Sequence, residues 1–188
     1  MEKNKNENIN KYDFIDKNER IEINNIILKA KEFIDKELMP IIFSSNENFE
    51  GNIFMIHSEY NYTNKFFDKQ INFVLIKKLK NLENVLEIGF NAGFSTLLML
   101  LANENIKITC VDICWYKYSE LCYNKIKEFF GNRINLVKGN SVNTLPQLIN
   151  NKYDLIHIDG SHLLEIAELD IIKDRKSTRL NSSHSSVS

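Results

Sequence analysis

A three-layer α/β sandwich built on a parallel sheet is the fold class this sequence predicts, and three observations lead there. Four short apolar runs, at residues 84–88, 107–112, 134–138 and 154–159, alternate with longer stretches in which apolar residues recur every three or four positions. Such alternation of strand and helix periods marks βαβ units, which set strands side by side in one direction. The runs end in polar or glycine residues: Glu87 and Gly89, Asp112, Gly139 and Asn140, Asp159. Finally, 188 residues with 43% hydrophobic composition suffice for one domain with a real core.

Taken in order, residues 1–12 are polar and rich in Asn and Lys. They bury too little apolar surface to offset the entropy of ordering them and read as a disordered tail. Residues 13–80 form an N-terminal helical segment with a loop. Ile23, Ile26, Ile27, Ala30, Phe33, Ile34 and Leu38 predict an amphipathic helix over 21–38 that stops before Pro40. Residues 44–62, with Gly51 and several Asn, read as an irregular loop: either a lid that brings His57 and Tyr60 to a ligand, or plain surface. Thr63 caps a second helix running to about Lys80, with Phe66, Phe67, Ile71, Val74, Leu75 and Leu79 inward. Residues 81–173 carry the sheet. Its helices run from Thr96 to Asn103, from Tyr118 to Phe130 with Gly131 as C-cap, and from about Val142 with an interruption near Pro146.

The turn after the first strand sets the ligand chemistry. Gly89 and Gly93 remove side chains that would keep backbone from a ligand, and the following helix aims its N-terminal amides at the same spot. A dinucleotide turn needs G-x-G-x-x-G so that a pyrophosphate can nearly touch the backbone. Here the spacing is Gly89-x-x-x-Gly93 with Phe90 and Asn91 between, which disfavours a diphosphate, and Glu87 would repel one while holding an ammonium group. S-adenosylmethionine meets both conditions. Asp112 lies 19 residues past Gly93, near the separation of about 20 at which a strand-end acid meets ribose hydroxyls; it could instead be a helix N-cap. Ile113 would offer an apolar face to the adenine.

Glu87-x-Gly89-x-x-x-Gly93-x-Ser95-Thr96 resembles the first motif of class I S-adenosylmethionine-dependent methyltransferases, in the branch that includes many small-molecule O-methyltransferases. The likeness runs from about Asn84 to Asp170. It implies a Rossmann-like sandwich with strand order 3-2-1-4 for the strands present, and cofactor contacts from Glu87, Gly89, Phe90, Asn91, Gly93, Ser95, Asp112, Ile113, Asn140 and Ser141. Where the family commonly has Gly-Asp-Ser after the third strand, this chain has Gly139-Asn140-Ser141; the Asn140 amide oxygen can accept from the adenine amino group without the charge. Because strands of such a sheet are parallel, Glu87, Asp112, Asn140 and Asp159 are expected to face one crevice.

Asp159-Gly160-Ser161-His162 resembles the fourth motif of O-methyltransferase-like members, several of which use a divalent metal. The resemblance implies His162 as general base and Asp159 as its partner, as the holder of the acceptor hydroxyl, or as a ligand of Mg²⁺. A capping or surface histidine is the other reading of His162. His157, inside the strand, reads as a core residue, and Asp170 as a more distant contact. Two rivals share the fold class: a nicotinamide-dependent dehydrogenase, disfavoured by the glycine spacing, and a non-catalytic module that keeps the cofactor pocket.

A net charge of −1 offers no basis for a nucleic-acid or anionic-membrane partner. The N-terminus lacks the apolar core of a signal peptide, and the longest apolar run, 97–102, is too short to span a bilayer. Cys110, Cys114 and Cys122 form neither a C-x-x-C pair nor an even disulfide set, which fits a reducing, cytoplasmic setting. The methyl acceptor and the oligomeric state are not written in the sequence.

From Asp174 onward Ser fills six of the last twelve positions, and Arg175 and Arg179 are two of the chain's four arginines. DRKSTRLNSSH resembles a translated sequencing-library adapter, so residues 174–188 are set aside as an artefactual tail. The natural polypeptide is then expected to continue with further strands, and the chain as written to be poorly soluble and inactive, with the fourth strand as an unpaired edge.

Overall fold

The computed structural model describes residues 15–49, 52–56, 60–148 and 151–159. The expectations for the 1–12 tail, His57, His162, Asp170 and the 174–188 tail lie outside these residues. Within them stands a four-stranded, all-parallel sheet: β1 (Asn84–Ile88), β2 (Lys107–Asp112), β3 (Ile134–Lys138) and β4 (Leu155–Ile158), in the order β3-β2-β1-β4. This is the expected 3-2-1-4 arrangement. The register pairs Glu87 with Cys110 on one side and with His157 on the other.

Strand alternation divides the core in two. Val85, Ile108, Cys110 and Leu155 face the larger apolar layer. That layer is supplied by α1 (Lys17–Phe33), α2 (Met39–Ser45), α3 (Phe67–Leu75), α4 (Phe94–Ala102) and α5 (Lys117–Phe130). Leu86, Ile88, Val111, Ile156 and Ile158 face the other way, onto Leu145 and Leu148 of α6 (Ser141–Leu148) and onto Tyr153. The sheet is thus covered on both faces, as the near-continuous apolar runs require.

The N-terminal helix does not stop before Pro40. Asp16 caps α1 by accepting from the Glu19 N–H at 2.9 Å. The chain then widens into a π turn over Ile34–Leu38, in which the Met39 N–H bonds back to the Ile34 carbonyl, and continues as α2 with Pro40 in its first turn. Proline lacks an N–H and its ring would press on a carbonyl four residues back; widening the turn just before it removes that conflict. Pro40 therefore shapes the helix instead of ending it. Pro146 likewise lies inside α6, near its end, and does not interrupt it.

Two further expectations are corrected. Thr63 does not cap α3: its hydroxyl accepts from the Lys65 N–H, α3 begins only at Phe67, and a 3₁₀ turn over Ile76–Lys78 closes the segment. The described residues of the 44–62 stretch are also more than plain surface, because Phe49, Ile53, Phe54 and Met55 are buried and Met55 forms an antiparallel bridge with Tyr62. The Tyr62 hydroxyl donates to Asp35 in the π turn at 2.6 Å. Buried aromatic side chains, unreadable from spacing in a non-periodic stretch, hold this segment against α4 and α5.

Candidate active site

The carboxyl ends of the strands meet at one edge. The Gly89 N–H donates to the Val111 carbonyl, the Gly139 N–H to the Asp112 carbonyl and the Asp159 N–H to the Ile88 carbonyl, at 2.8 to 2.9 Å. Gly89, Asp112, Gly139 and Asp159 thereby sit at a common level. Above β1 and β4 lies a small cavity of about 30 Å³, lined by Gly89, Asn91, Ala92, Ser95 and Asp159, with Phe49, Asn52 and Ile53 of the N-terminal segment opposite. Asp159 is exposed and sits at the edge strand's tip.

Glu87 does not open onto this edge, contrary to the sequence expectation. Strand alternation turns it beneath the glycine turn, where it is completely buried. Its carboxylate accepts from the Ser95 hydroxyl at 2.5 Å, from the Thr96 hydroxyl, and from the Cys110 thiol at 3.6 Å, and pairs with His157 Nδ1 at 3.2 Å. Glu87 thus pins the first turn of α4 to the sheet. Burial acts to lower the pKa of His157, but the hydrogen bond and charge of Glu87, with the charge of Asp159, outweigh it and leave the imidazole above its ordinary value. His157 also meets the Phe73 ring edge-on at 4.8 Å, as a core histidine would.

Asp112 is occupied as well. One of its oxygens accepts from the N–H groups of Phe90 and Asn91, at 2.6 and 2.9 Å, and the other from the Cys114 N–H at 2.6 Å. The strand-end acid therefore holds the glycine turn in place, with lone pairs left over for further donors. Glu87 and Asp112 flank the same turn, one beneath it and one beside it; neither lines the small cavity.

The other expected site residues fall into place around this turn. The Phe90 side chain is buried beneath the turn, so only its backbone is near the edge. A Cβ on Gly93, at φ +76°, would sit 2.5 Å from the Phe90 ring and 2.8 Å from Ile126, so glycine is needed there for packing and for a left-handed backbone. Asn91, also at positive φ, accepts from the Tyr118 hydroxyl at 2.7 Å through Oδ1. Ser95 reaches both Glu87 and the cavity. Ile113 is half exposed beyond β2, and Trp115, 79% exposed, stands two residues further on. Asn140 caps α6 by accepting from the Val142 N–H at 2.9 Å, and Ser141 is that helix's first residue.

Beside the cavity, Phe49 packs against Phe94 at 5.3 Å and Tyr118 at 5.8 Å, and stacks on Tyr60 at 6.3 Å. Tyr60 in turn meets Phe43 at 4.8 Å. Sequence reasoning named Tyr60 in this cluster and missed Phe49 and Asn52, whose only signal was their place ahead of the sheet. A wider groove of about 1010 Å³ lies at the opposite edge of the sheet, among Glu19, Lys77, Lys78, Glu83 and Asn105. It is bridged by Lys77–Glu22 and Lys78–Glu19 ion pairs and is remote from the glycine turn. Among the described residues no group of three or more His, Cys, Asp or Glu could hold a metal ion, and no helix is long and apolar enough to cross a membrane.

The donors and acceptors at the edge fit S-adenosylmethionine. The α4 N-terminus offers amides for a carboxylate, Asp112 spare lone pairs for a diol, and Ile113 and Trp115 apolar surface for a base. The 30 Å³ cavity has room for about one water-sized group.

Comparison with known proteins agrees with this chemistry. Residues 86–176 match a family model described as a methyltransferase domain. No curated protein matches the sequence. Among solved structures, an O-methyltransferase from Bacillus cereus in complex with SAH superposes with a TM-score of 0.55 at 17% identity, covering 84% of this chain and 70% of that one. Cofactor-bound Rv0187 from MTB superposes with a TM-score of 0.51 at 19% identity, over 80% and 67%. Of the SAH-bound methyltransferase PaMTH1 from Podospora anserina the chain spans only 49% of the length, at 19% identity and a TM-score of 0.48. These identities speak to the fold, and the domain match to the family. The sheet order, the glycine turn that opens α4 and the matched domain agree: residues 86–176 are similar to a methyltransferase domain, carried on a Rossmann-like α/β sheet.

Proposed function

We propose that this domain transfers a methyl group from S-adenosylmethionine to an oxygen of a small molecule or an accessible polymer group. The observation that carries the reading is the shared edge: the glycine turn, the α4 N-terminus and Asp159 border one cavity, with an aromatic wall from Phe49 and Phe94 beside it. The bound cofactor would supply an electrophilic sulfonium methyl. The rest falls to the chain's own residues. Gly89, Asn91, Gly93 and Ser95 shape the turn around the cofactor's amino-acid end. Asp112, Ile113 and Trp115 serve its nucleoside, with Asn140 and Ser141 at the next strand end.

Asp159 is the acceptor's residue in this reading. Its exposed carboxylate can accept the hydrogen of an acceptor hydroxyl, orienting the oxygen for in-line attack and polarising the O–H bond as the proton leaves. His162, three residues on in sequence, would take that proton. Mg²⁺, where bound, would take Asp159 as one of its roughly six oxygen ligands, with others from acceptor and water. A reducing, cytoplasmic setting is supported by three free cysteines. Burial pushes the thiols of Cys114 and Cys122 up, to about 11 and about 12, and that of Cys110 well above its ordinary value, so none is poised as a nucleophile.

Titration calorimetry with S-adenosylhomocysteine tests the reading. Binding with one site per chain is expected. Absence of measurable binding, or a preference for NADH seen as enhanced nicotinamide fluorescence, would remove it. Loss of methyl transfer on Asp159→Ala with binding intact would separate an enzyme from a module that only holds the cofactor.

A further inference from the structure

Asn52 carries an unspent donor. Its side-chain Oδ1 accepts from two backbone N–H groups, of Phe54 at 2.8 Å and of Met55 at 2.6 Å. Two donors converging on one atom fix which end of the amide is oxygen, since the reverse assignment would set an NH₂ group against two N–H groups. The amide is planar, so its Nδ2 points away from Phe54 and Met55. That nitrogen is buried, out of contact with solvent, and has no hydrogen-bond partner. A buried unmatched amide bears the full cost of its desolvation, and such a group in a folded protein calls for an explanation.

The surroundings supply one. Asn52 lines the 30 Å³ cavity together with Gly89, Ser95 and Asp159. Phe94 and Ser95, which open α4, line the same cavity, and the first N–H groups of that helix have no intrahelical acceptor. One cavity is therefore lined both by the residue that carries the unmatched amide, Asn52, and by the first residues of α4, Phe94 and Ser95. Two sets of donors beside one small cavity suit a carboxylate. The amino-acid arm of S-adenosylmethionine ends in such a group.

We infer that Asn52 is a positioning residue that donates through Nδ2 to the α-carboxylate of the cofactor's amino-acid arm, clamping it against the N-terminus of α4. This rests on the methyltransferase reading and adds to it a residue from outside the matched domain, in the segment ahead of the sheet. It also links the cofactor to the aromatic wall, because Phe49 and Ile53 lie on the same short segment and line the same cavity.

Asn52→Asp is the informative variant. Aspartate keeps an oxygen for the Phe54 and Met55 N–H groups, so the local turn persists, while the donor is lost and a negative charge faces the carboxylate. Calorimetry compares S-adenosylhomocysteine with 5′-methylthioadenosine, which keeps the nucleoside and the thioether and lacks the amino-acid end. The expected result is affinity for S-adenosylhomocysteine reduced at least tenfold, with 5′-methylthioadenosine bound within twofold of the unaltered chain. Unchanged affinity for S-adenosylhomocysteine in N52D overturns the assignment and leaves the methyltransferase reading standing. Equal weakening of both ligands also overturns it and makes Asn52 purely structural. An unaltered chain that binds neither ligand removes the methyltransferase reading, and this inference with it.

Discussion

Replacing Glu87 by alanine removes an acceptor shared by four side chains: the Ser95 and Thr96 hydroxyls, the Cys110 thiol and the His157 imidazole. Thr96 and Cys110 are buried, so water does not reach them when the carboxylate is gone. Each orphaned group costs about 1–3 kcal/mol, and breaking a buried charge pair from one side costs about 3–5 kcal/mol. The thiol is a weak donor and Ser95 can turn toward the cavity, so the loss should fall near 3–5 kcal/mol, a large share of the roughly 5–15 kcal/mol that holds a domain together. Urea unfolding followed by circular dichroism reads this directly. With a slope of about 2 kcal/mol per molar, the midpoint should fall by about 1.5–2.5 M. Glu87→Gln keeps one carbonyl acceptor and the side chain's volume and should lose less. An E87A midpoint within about 0.3 M of the unaltered chain, together with lost S-adenosylhomocysteine binding, would refute the reasoning: the carboxylate would then belong to the ligand and not to the fold.

Two further predictions concern the same region. Because Glu87 holds the His157 pKa above the unfolded value of about 6.5, the pair's contribution is complete below that pH and is lost as pH rises through the higher folded value. The stability gap between the unaltered chain and His157→Gln, measured by urea midpoints from pH 6 to 9, should therefore narrow as pH rises; a gap that stays constant or widens contradicts the assignment. Gly93→Ala combines a left-handed φ of +76° with a Cβ 2.5 Å from the Phe90 ring and should cost about 2–4 kcal/mol. Gly131→Ala, at φ +60° and ψ −129° with nothing within 4 Å of the added Cβ, should lose about 1–3 kcal/mol to backbone strain alone, and thermal melts in which Gly93→Ala loses nothing measurable would argue against the clash.

What the sequence determined by itself is local and periodic. Apolar runs such as KITCVD and INLVK fell where strands form because side-chain alternation and β-branching are written in consecutive residues. The glycine turn was legible for the same reason: Gly89 and Gly93 adopt positive φ within five residues of each other. Asp112 was visible as a strand-end acid, and the parallel order followed from helices between strands. Tertiary structure alone decided what those groups do. Glu87 and His157 are 70 residues apart, and only the pairing of β1 with β4 brings them together, converting an expected ligand-facing acid into a buried clamp. Asp112 is claimed by the N–H groups of the very turn it was expected to sit beside, because folding brings 21 and 22 residues of separation to hydrogen-bond distance. Pro40 reads locally as a stop, yet a π turn accommodates it because Ile34, Leu38 and Ile42 all gain burial by continuing the helix. Asn52 carries no period or motif; its unmatched amide exists only once the chain has closed around it. Hydrogen-bond accounting is a property of the packed molecule, since a donor is satisfied or orphaned by neighbours that the chain supplies from far away.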